Sequence, residues 1–175
     1  ALSRVANIVG MSRPAFLRGI QVEAPLNTGS DRCLIFLDPL FVGGYGWVFP
    51  KQTSANVGLG TAMRKDVRMM ALLEVFLAKL TATKIIRPGR FAVSGGLIPV
   101  SGLKPELVKD NVILCGDAAG LTHPITGAGI PQAVVSGTLA GNYAADALIS
   151  GFELPLLHYQ NEIQAMYRGV IGHAS

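Results

Sequence analysis

Charged residues are scarce in this chain of 175 residues, in which Asp, Glu, Lys and Arg together make up 15%. An average soluble domain has about 25%. Hydrophobic residues reach 50%, and this excludes a disordered chain, because disordered segments are polar and highly charged. We expect that part of this weakly charged surface is normally covered by something else.

Long uninterrupted apolar runs are absent as well. The segment from Ala118 to Ala145 holds no Asp, Glu, Lys or Arg, but it is broken by Pro124, Gly127, Gly129 and Pro131. A membrane span needs about 20 consecutive apolar residues, so the sequence predicts none here. The first ten residues contain no basic segment followed by an apolar one, and they predict no signal peptide.

Cysteine occurs only twice, at Cys33 and Cys115. The two lie far apart in apolar runs and match no metal-ligand spacing, so we predict two reduced, buried thiols in a cytoplasmic protein and no metal site. His123, His158 and His173 have no metal or triad spacing either. We interpret them as structural or solvent-facing residues.

Basic residues exceed acidic ones by only four, giving a net charge of +4. They are spread along the chain and no nucleic-acid motif accompanies them, so we predict no nucleic-acid partner. A weak attraction to an anionic lipid surface is an open alternative. No Gly-x-Ser-x-Gly string is present, and this argues against a hydrolase nucleophile elbow.

Hydrophobic periodicity predicts both strands and helices. Alternating or apolar runs predict strands over Phe16–Glu23, Cys33–Leu37, Ser54–Gly60 and Asn111–Cys115. Helices are predicted over Ser3–Val9, Val67–Leu80, about Pro131 to Leu148, and Leu154 to about Val170. The apolar Asn111–Cys115 run is typical of a strand buried on both faces of a parallel sheet.

A strand–loop–helix unit carries the first candidate site. The strand delivers Gly116 and Asp117 to its carboxyl end, where open α/β sheets bind ligands. Gly127 and Gly129 stand just before the next helix, where a ligand could approach the backbone and meet free N–H groups. The alternative is that these glycines serve only as turns.

The string GDAA, followed by Pro124 and TGAGI, closely resembles the second flavin-binding motif of the aromatic-hydroxylase-type FAD enzymes. The resemblance implies FAD as cofactor, with Asp117 binding the ribityl hydroxyls. It also implies that the Pro124–Ile130 loop passes the isoalloxazine ring, with backbone N–H groups near Gly129 and Ile130 at its N1/O2 edge. The implied cofactor-binding residues are Gly116, Asp117, Ala118, Pro124, Gly127, Ala128, Gly129 and Ile130.

A second string, YGWVFP followed by SANVGLG, is similar to the YxWxFP signature of the geranylgeranyl reductase family. In that family the aromatic side chains line an isoprenoid pocket, which implies that Tyr45, Trp47, Phe49 and Pro50 bind substrate. The three aromatic residues recur at period two and share one face of a strand. The alternative is an ordinary core-facing strand.

The resemblance implies an α+β fold: a substrate lobe with an antiparallel sheet and helices, and the strand–loop–helix remnant of a Rossmann-like FAD-binding domain. We expect the substrate lobe at residues 1–110, the second half of the FAD-binding domain at 111–152, and a C-terminal helix at 153–175. The GxGxxG loop that holds the ADP half of FAD in the family is absent. We therefore expect either the C-terminal part of a longer protein or a shortened relative. In both cases we expect the isolated chain to be inactive and to self-associate.

The implied reaction is FAD-dependent reduction of C=C bonds in prenyl chains of lipids or chlorophyll-type precursors. The electron donor, NAD(P)H or ferredoxin, and the catalytic residues are not assigned by these motifs. Contact with a membrane surface is a further expectation. Two alternatives are a flavin-dependent monooxygenase or halogenase of the same superfamily, and a non-catalytic lipid- or partner-binding remnant.

Overall fold

The computed structural model describes residues 3–10, 15–63 and 67–172. The chain divides into two compact units. The first, here called the sheet unit, is Leu17–Leu97, and the second, the helical unit, combines Ala1–Phe16 with Ile98–Ser175. These bounds differ from the expected segments, because both residues 1–16 and residues 98–110 group with the C-terminal helices. The roles assigned to the segments stay predictions.

The sheet unit is built around a five-stranded sheet with the order β2-β3-β4-β1-β5. The strands are β1 (Phe16–Pro25), β2 (Leu34–Phe36), β3 (Gly46–Lys51), β4 (Ser54–Ala62) and β5 (Val93–Pro99). β1 with β4, β2 with β3, and β3 with β4 pair antiparallel. The α+β fold with an antiparallel sheet is therefore confirmed.

The hairpin of β3 and β4 fixes the register at the centre of this sheet. Lys51 pairs with Ser54, so Gln52 and Thr53 form a two-residue turn in which Gln52 adopts a φ of 56°. Such turns favour a left-handed residue because their twist matches that of the flanking strands. The register that follows pairs Trp47 with Gly58.

One face of the sheet carries the core of the unit. Period-two alternation turns Val22, Val48 and Val57 toward this face, where each is almost fully buried. Helix α2 (Met69–Ala82) begins two residues later than predicted and contributes Leu73, Phe76 and Leu80 to the same cluster. Burying each such side chain contributes about 1.5–3 kcal/mol.

The helical unit contains α1 (Arg4–Ile8), α3 (Ile130–Ser150) and α4 (Leu154–Gly172). The Ser3 hydroxyl accepts the N–H of Ala6 at 3.1 Å and caps α1. α3 ends at Gly151, whose φ of 69° is the left-handed conformation common at helix ends. The buried cluster of this unit includes Leu107, Leu114, Leu121, Tyr159 and Ile163.

The prediction of a doubly buried parallel strand at Asn111–Cys115 is wrong. β7 (Val112–Ile113) pairs antiparallel with β6 (Val108–Lys109), and all four residues are half-buried. The chain reverses at Asp110, with a φ of 51°. A parallel pairing would need a long crossover connection, and β6 is already adjacent through a tight turn.

The two thiols are less buried than predicted. Cys33 is exposed and Cys115 is half-buried, and both are free. Leu34 packs against the core of the sheet unit, and Cys33, which immediately precedes it, remains exposed.

Candidate functional site

Gly116 anchors the GDAA segment to helix α3. The segment Gly116–Ala119 forms a 3₁₀ turn directly after β7. The N–H of Gly116 donates to Ser136 Oγ at 2.9 Å, and this buried hydroxyl donates to the Gln132 carbonyl at 2.7 Å. A Cβ atom on Gly116 would stand 3.1 Å from that of Ala133. Gly116 is thus buried beneath the surface of the site, where it packs against α3.

Asp117 presents its carboxylate to the beginning of α3. Thr122 Oγ1 donates to Asp117 Oδ1 at 2.5 Å. A Cβ atom on Gly129 would stand only 3.1 Å from the same Oδ1. Among the described residues, no group donates to Oδ2 of Asp117. One half of this half-buried carboxylate is therefore free to accept a hydrogen bond.

The first turn of α3 is not capped by a side chain. Gly129 is the N-cap residue and makes no side-chain hydrogen bond to the helix, and a proline follows at the start of the helix. Gln132 stands three residues after Gly129, the position from which a capping-box glutamine reaches back. Its Oε1 atom is instead buried without a partner in the described part of the chain. The N–H groups of this turn are therefore open to an electron-rich ligand.

His123 closes the loop between Asp117 and α3. Its N–H donates to the Ala128 carbonyl at 2.8 Å, and its carbonyl accepts the N–H of Gly127 at 2.9 Å. Gly127 adopts a φ of 68°, a conformation that glycine takes without strain. The loop places Ala128 and Gly129 next to the Asp117 turn.

The structure thus brings together only part of the predicted flavin-binding set. Asp117 and Gly129 lie side by side, and Ala128 and Ile130 are exposed on either side of Gly129. Ala118 packs against the buried cluster of the helical unit. Pro124 is half-buried in the loop.

Tyr45, which directly precedes β3, and Trp47 and Phe49 of β3 lie on the face of the sheet opposite the core. The Tyr45 and Trp47 ring centroids are 5.9 Å apart at 66°, and those of Trp47 and Phe49 are 6.0 Å apart at 15°. Val48, between them in sequence, is 1% exposed in the core. The core-facing alternative is therefore wrong for these three rings. Burial raises the pKa of the Tyr45 hydroxyl.

Glycines of the neighbouring strands form the floor beneath these rings. Trp47 pairs with Gly58, where a Cβ atom would stand 2.6 Å from Trp47 Cζ2. Gly60 pairs in turn with Gly19 of β1. The indole can lie over β4 only because no side chain rises from Gly58. Trp47 Nε1 is buried without a hydrogen-bond partner among the described residues.

Pro50 does not join the three rings. The register pairs it with Ala55, a core residue. Pro50 instead lines a groove of about 450 Å³ on the other side, together with Leu34 and Val48. The four predicted substrate-binding residues are thus divided between two faces of the sheet.

The chain is similar to several proteins of known name. Over 159 residues the chain is 34% identical to a digeranylgeranylglycerophospholipid reductase of Methanocella arvoryzae, covering 85% of this chain and 39% of that protein. Over 106 residues it is 40% identical to digeranylgeranylglycerophospholipid reductase 1 of Methanosphaera stadtmanae, covering 60% and 26%. A solved geranylgeranyl bacteriochlorophyll reductase-like structure from Thermoplasma acidophilum matches with a TM-score of 0.77 and 26% identity, over 90% of this chain and 41% of that one. The chain belongs to the geranylgeranyl reductase family.

The family resemblance carried by the YGWVFP and GDAA strings is thereby confirmed. This member spans well under half the length of the curated reductases that it matches. A probable FAD-dependent monooxygenase of Pseudomonas aeruginosa, 21% identical with a TM-score of 0.61, has the same fold. No family model matches the chain.

Several residues of the candidate site could not be predicted from the sequence. Thr122 and Ser136 are ordinary hydroxyl residues whose contacts to Asp117 and Gly116 arise only when the loop folds back. Gln132 could have been singled out from the sequence, because it stands three residues after Gly129, the spacing of a capping box. His123 was interpreted as structural, and its hydrogen bonds place it within the loop itself.

Within residues 3–10, 15–63 and 67–172, no group of three or more His, Cys, Asp or Glu side chains could hold a metal ion. No helix of that part is both long and apolar enough to cross a membrane. His158 is exposed, and His173 lies outside the described residues.

Proposed function

We propose that the complete protein containing this chain reduces carbon–carbon double bonds in the prenyl chains of lipids, with FAD as its cofactor. The observation that carries the proposal is the aromatic surface at β3, which faces away from the core of the sheet unit. It occurs in a chain of the geranylgeranyl reductase family. The relatives named above are reductases of a lipid that bears geranylgeranyl chains.

The residues around Asp117 fit one side of a flavin. The free Oδ2 of Asp117 is an acceptor suited to the hydroxyl groups of a ribityl chain. Gly129 has no Cβ to obstruct a ligand beside that carboxylate. The uncapped first turn of α3 favours negative charge, because the helix dipole is positive there. When bound, a reduced flavin supplies the hydride for alkene reduction.

The three rings of β3 fit an isoprenoid chain. Tyr45, Trp47 and Phe49 form a continuous, half-buried aromatic surface. Beside them Ile35, paired with Trp47, is 52% exposed and extends the apolar surface to the edge strand β2. An apolar chain laid on this surface would be stabilised by about 25 cal/mol for each Å² removed from water. The role proposed for these residues is to hold the chain and exclude water from it.

The complete protein would receive its electrons from NAD(P)H or from ferredoxin. A prenylated lipid substrate also implies work at a membrane surface. Near the hairpin turn, Lys51 of β3 and Glu23 of β1 form an exposed ion pair of 3.1 Å.

The test uses the complete reading frame that encodes this chain. The purified protein should show a flavin absorption spectrum. After reduction of the flavin under anaerobic conditions and addition of a digeranylgeranyl lipid, mass spectrometry should detect two added hydrogen atoms for each double bond reduced. A second sample of the reduced protein is exposed to oxygen, a halide salt and an aromatic compound.

Three results would contradict the proposal in different ways. Bound flavin that oxygenates or halogenates the aromatic compound and leaves the lipid unchanged would favour the monooxygenase or halogenase alternative. Absence of flavin together with lipid binding would favour a non-catalytic remnant. Reduced flavin that stays reduced after the lipid is added, with no hydrogen gained by the lipid, would contradict the proposed reaction itself.

A further inference from the structure

The side chain of His123 is built into the loop that joins the Asp117 turn to α3. Its Nδ1 atom accepts the backbone N–H groups of Ile125 and Thr126, each at 3.3 Å. Its own N–H and carbonyl bond Ala128 and Gly127. One residue therefore provides four of the hydrogen bonds that close the loop from 123 to 128.

These bonds define the tautomer of the neutral ring. Because Nδ1 accepts from two N–H groups, the hydrogen of the neutral imidazole lies on Nε2. An asparagine or aspartate usually performs this task in loops, since its side-chain oxygen accepts backbone N–H groups two residues later. Histidine, asparagine and aspartate all have a hydrogen-bond acceptor atom bonded to Cγ, and this acceptor is the feature that the loop requires.

We infer that His123 is a positioning residue for flavin binding, acting through the Nδ1 acceptor on the Gly127–Ile130 backbone. The inference rests on the proposed function, because that backbone is the proposed contact of the flavin ring. Without the two bonds to Nδ1, the loop from 123 to 128 would lose two of the four hydrogen bonds that His123 provides. The loop would then sample other conformations, and the position of Gly129 beside Asp117 would be lost part of the time.

Two variants separate the acceptor from the rest of the ring. In His123→Asn the side-chain oxygen is attached to Cγ and occupies the place of Nδ1. In His123→Gln the amide lies one bond further out, near the place of Nε2, and no acceptor remains at Nδ1. The two substitutions are similar in size and polarity, so a difference between them reports the position of the acceptor.

The first measurement is the dissociation constant of FAD from the complete protein, by titration of the flavin-free form. We expect His123→Asn to bind within about threefold of wild type and His123→Gln about tenfold more weakly, as for loss of one or two hydrogen bonds. The second measurement is hydrogen–deuterium exchange of the amides of residues 125–128 without flavin. Exchange should be faster in His123→Gln and near wild type in His123→Asn.

The outcomes distinguish the inference from the proposed function. Wild-type protein that binds no FAD would contradict both. Wild-type binding together with unchanged affinity and exchange in His123→Gln would overturn the inference alone. Equal losses in both variants would also overturn it, because the acceptor at Nδ1 would then not be the active feature. Rescue by asparagine, with unchanged thermal unfolding of the flavin-free proteins, supports it.

Discussion

Asp117 and Gly129 lie so close together that a Cβ atom on Gly129 would stand 3.1 Å from Asp117 Oδ1. This proximity joins the GDAA turn to the N-cap residue of α3. Thr122 Oγ1 donates to the same oxygen at 2.5 Å. The carboxylate is therefore oriented by one hydroxyl and left open by one glycine, and the two features can be tested separately.

Replacing Asp117 by alanine should weaken FAD binding in the complete protein. The substitution removes the acceptor proposed for the ribityl hydroxyls, and loss of a hydrogen bond to a charged group costs about 1.5–3 kcal/mol, or about ten- to a hundredfold in affinity. Flavin fluorescence titration measures this. Thr122→Val is the matched control and should cost less, because it removes only the orienting bond. Tight flavin retention by Asp117→Ala would contradict the assigned role.

Replacing Gly129 by alanine should displace the Asp117 carboxylate, since the new methyl group would press against Oδ1. We expect weaker flavin retention in the complete protein. Gly137 of the same helix has nothing within 4 Å of its Cβ position. In the 175-residue chain, Gly137→Ala should raise the free energy of unfolding by about 0.5–1 kcal/mol through helix propensity. Equal flavin affinities in wild type and Gly129→Ala would argue against a ligand beside Asp117.

Trp47→Ala should reduce prenyl turnover while flavin content is retained. The ring lies on the face opposite the core, so its loss should lower the melting temperature less than the loss of a core residue. Leu59→Ala is the matched control in the same sheet. Leu59 is 0% exposed, and its truncation should cost about 2–5 kcal/mol of stability. A melting temperature as low in Trp47→Ala as in Leu59→Ala, with loss of flavin, would assign Trp47 to folding alone.

The 175-residue chain should self-associate in solution. Leu148 and Ile149 are each 85% exposed and Phe152 is 72% exposed at the junction of α3 and α4, and monomers rarely expose large apolar patches. Sedimentation should show mass increasing with concentration, and Leu148→Ser with Ile149→Ser should diminish it. Ile8→Ser, at an 83% exposed position in α1, is the control. A single monomeric species from micromolar to millimolar concentration would contradict this prediction.

Alkaline pH should destabilise the helical unit through Tyr159. Its hydroxyl donates to the Leu114 carbonyl at 2.7 Å, and burial, with a smaller effect of Cys115, raises its pKa well above the usual range. The folded state thus retains a proton that the unfolded state releases near pH 10. Stability is unaffected below that pH and falls above it by about 1.4 kcal/mol per pH unit.

Denaturant unfolding of wild type and Tyr159→Phe at several alkaline pH values measures this dependence. The phenylalanine variant should be less stable near neutral pH, because the Leu114 carbonyl loses its hydrogen-bond donor. Its free energy of unfolding should fall less steeply as the pH rises. Identical slopes in the two proteins would show that Tyr159 does not control the alkaline transition.

Local patterns were sufficient for much of this fold. The strands near Phe16, Cys33 and Ser54 and the helix from Leu154 follow the periodicity of their own residues. The end of α3 is marked by Gly151, which adopts the left-handed conformation expected of it. The motif strings led to the family that the relatives confirm. All of these depend on neighbours in sequence.

The tertiary structure decided what periodicity leaves open. Alternation indicates that Tyr45, Trp47 and Phe49 share a face of the strand. It does not indicate whether that face or the opposite one packs against the core. The packing of α2 against Val48 and its neighbours made the other face the core. Likewise, the apolar run at Val112–Ile113 was compatible with either strand direction, and the turn at Asp110 made it antiparallel.

The geometry of the candidate site also depended on folding. The partners of Asp117 come from Thr122 and from the bare backbone of Gly129, which meet only because the His123 loop folds back on itself. Composition and spacing determined that a small-residue loop would precede α3. Which oxygen of Asp117 is held and which stays free depends on distances of a few ångströms, and only the assembled loop sets those distances.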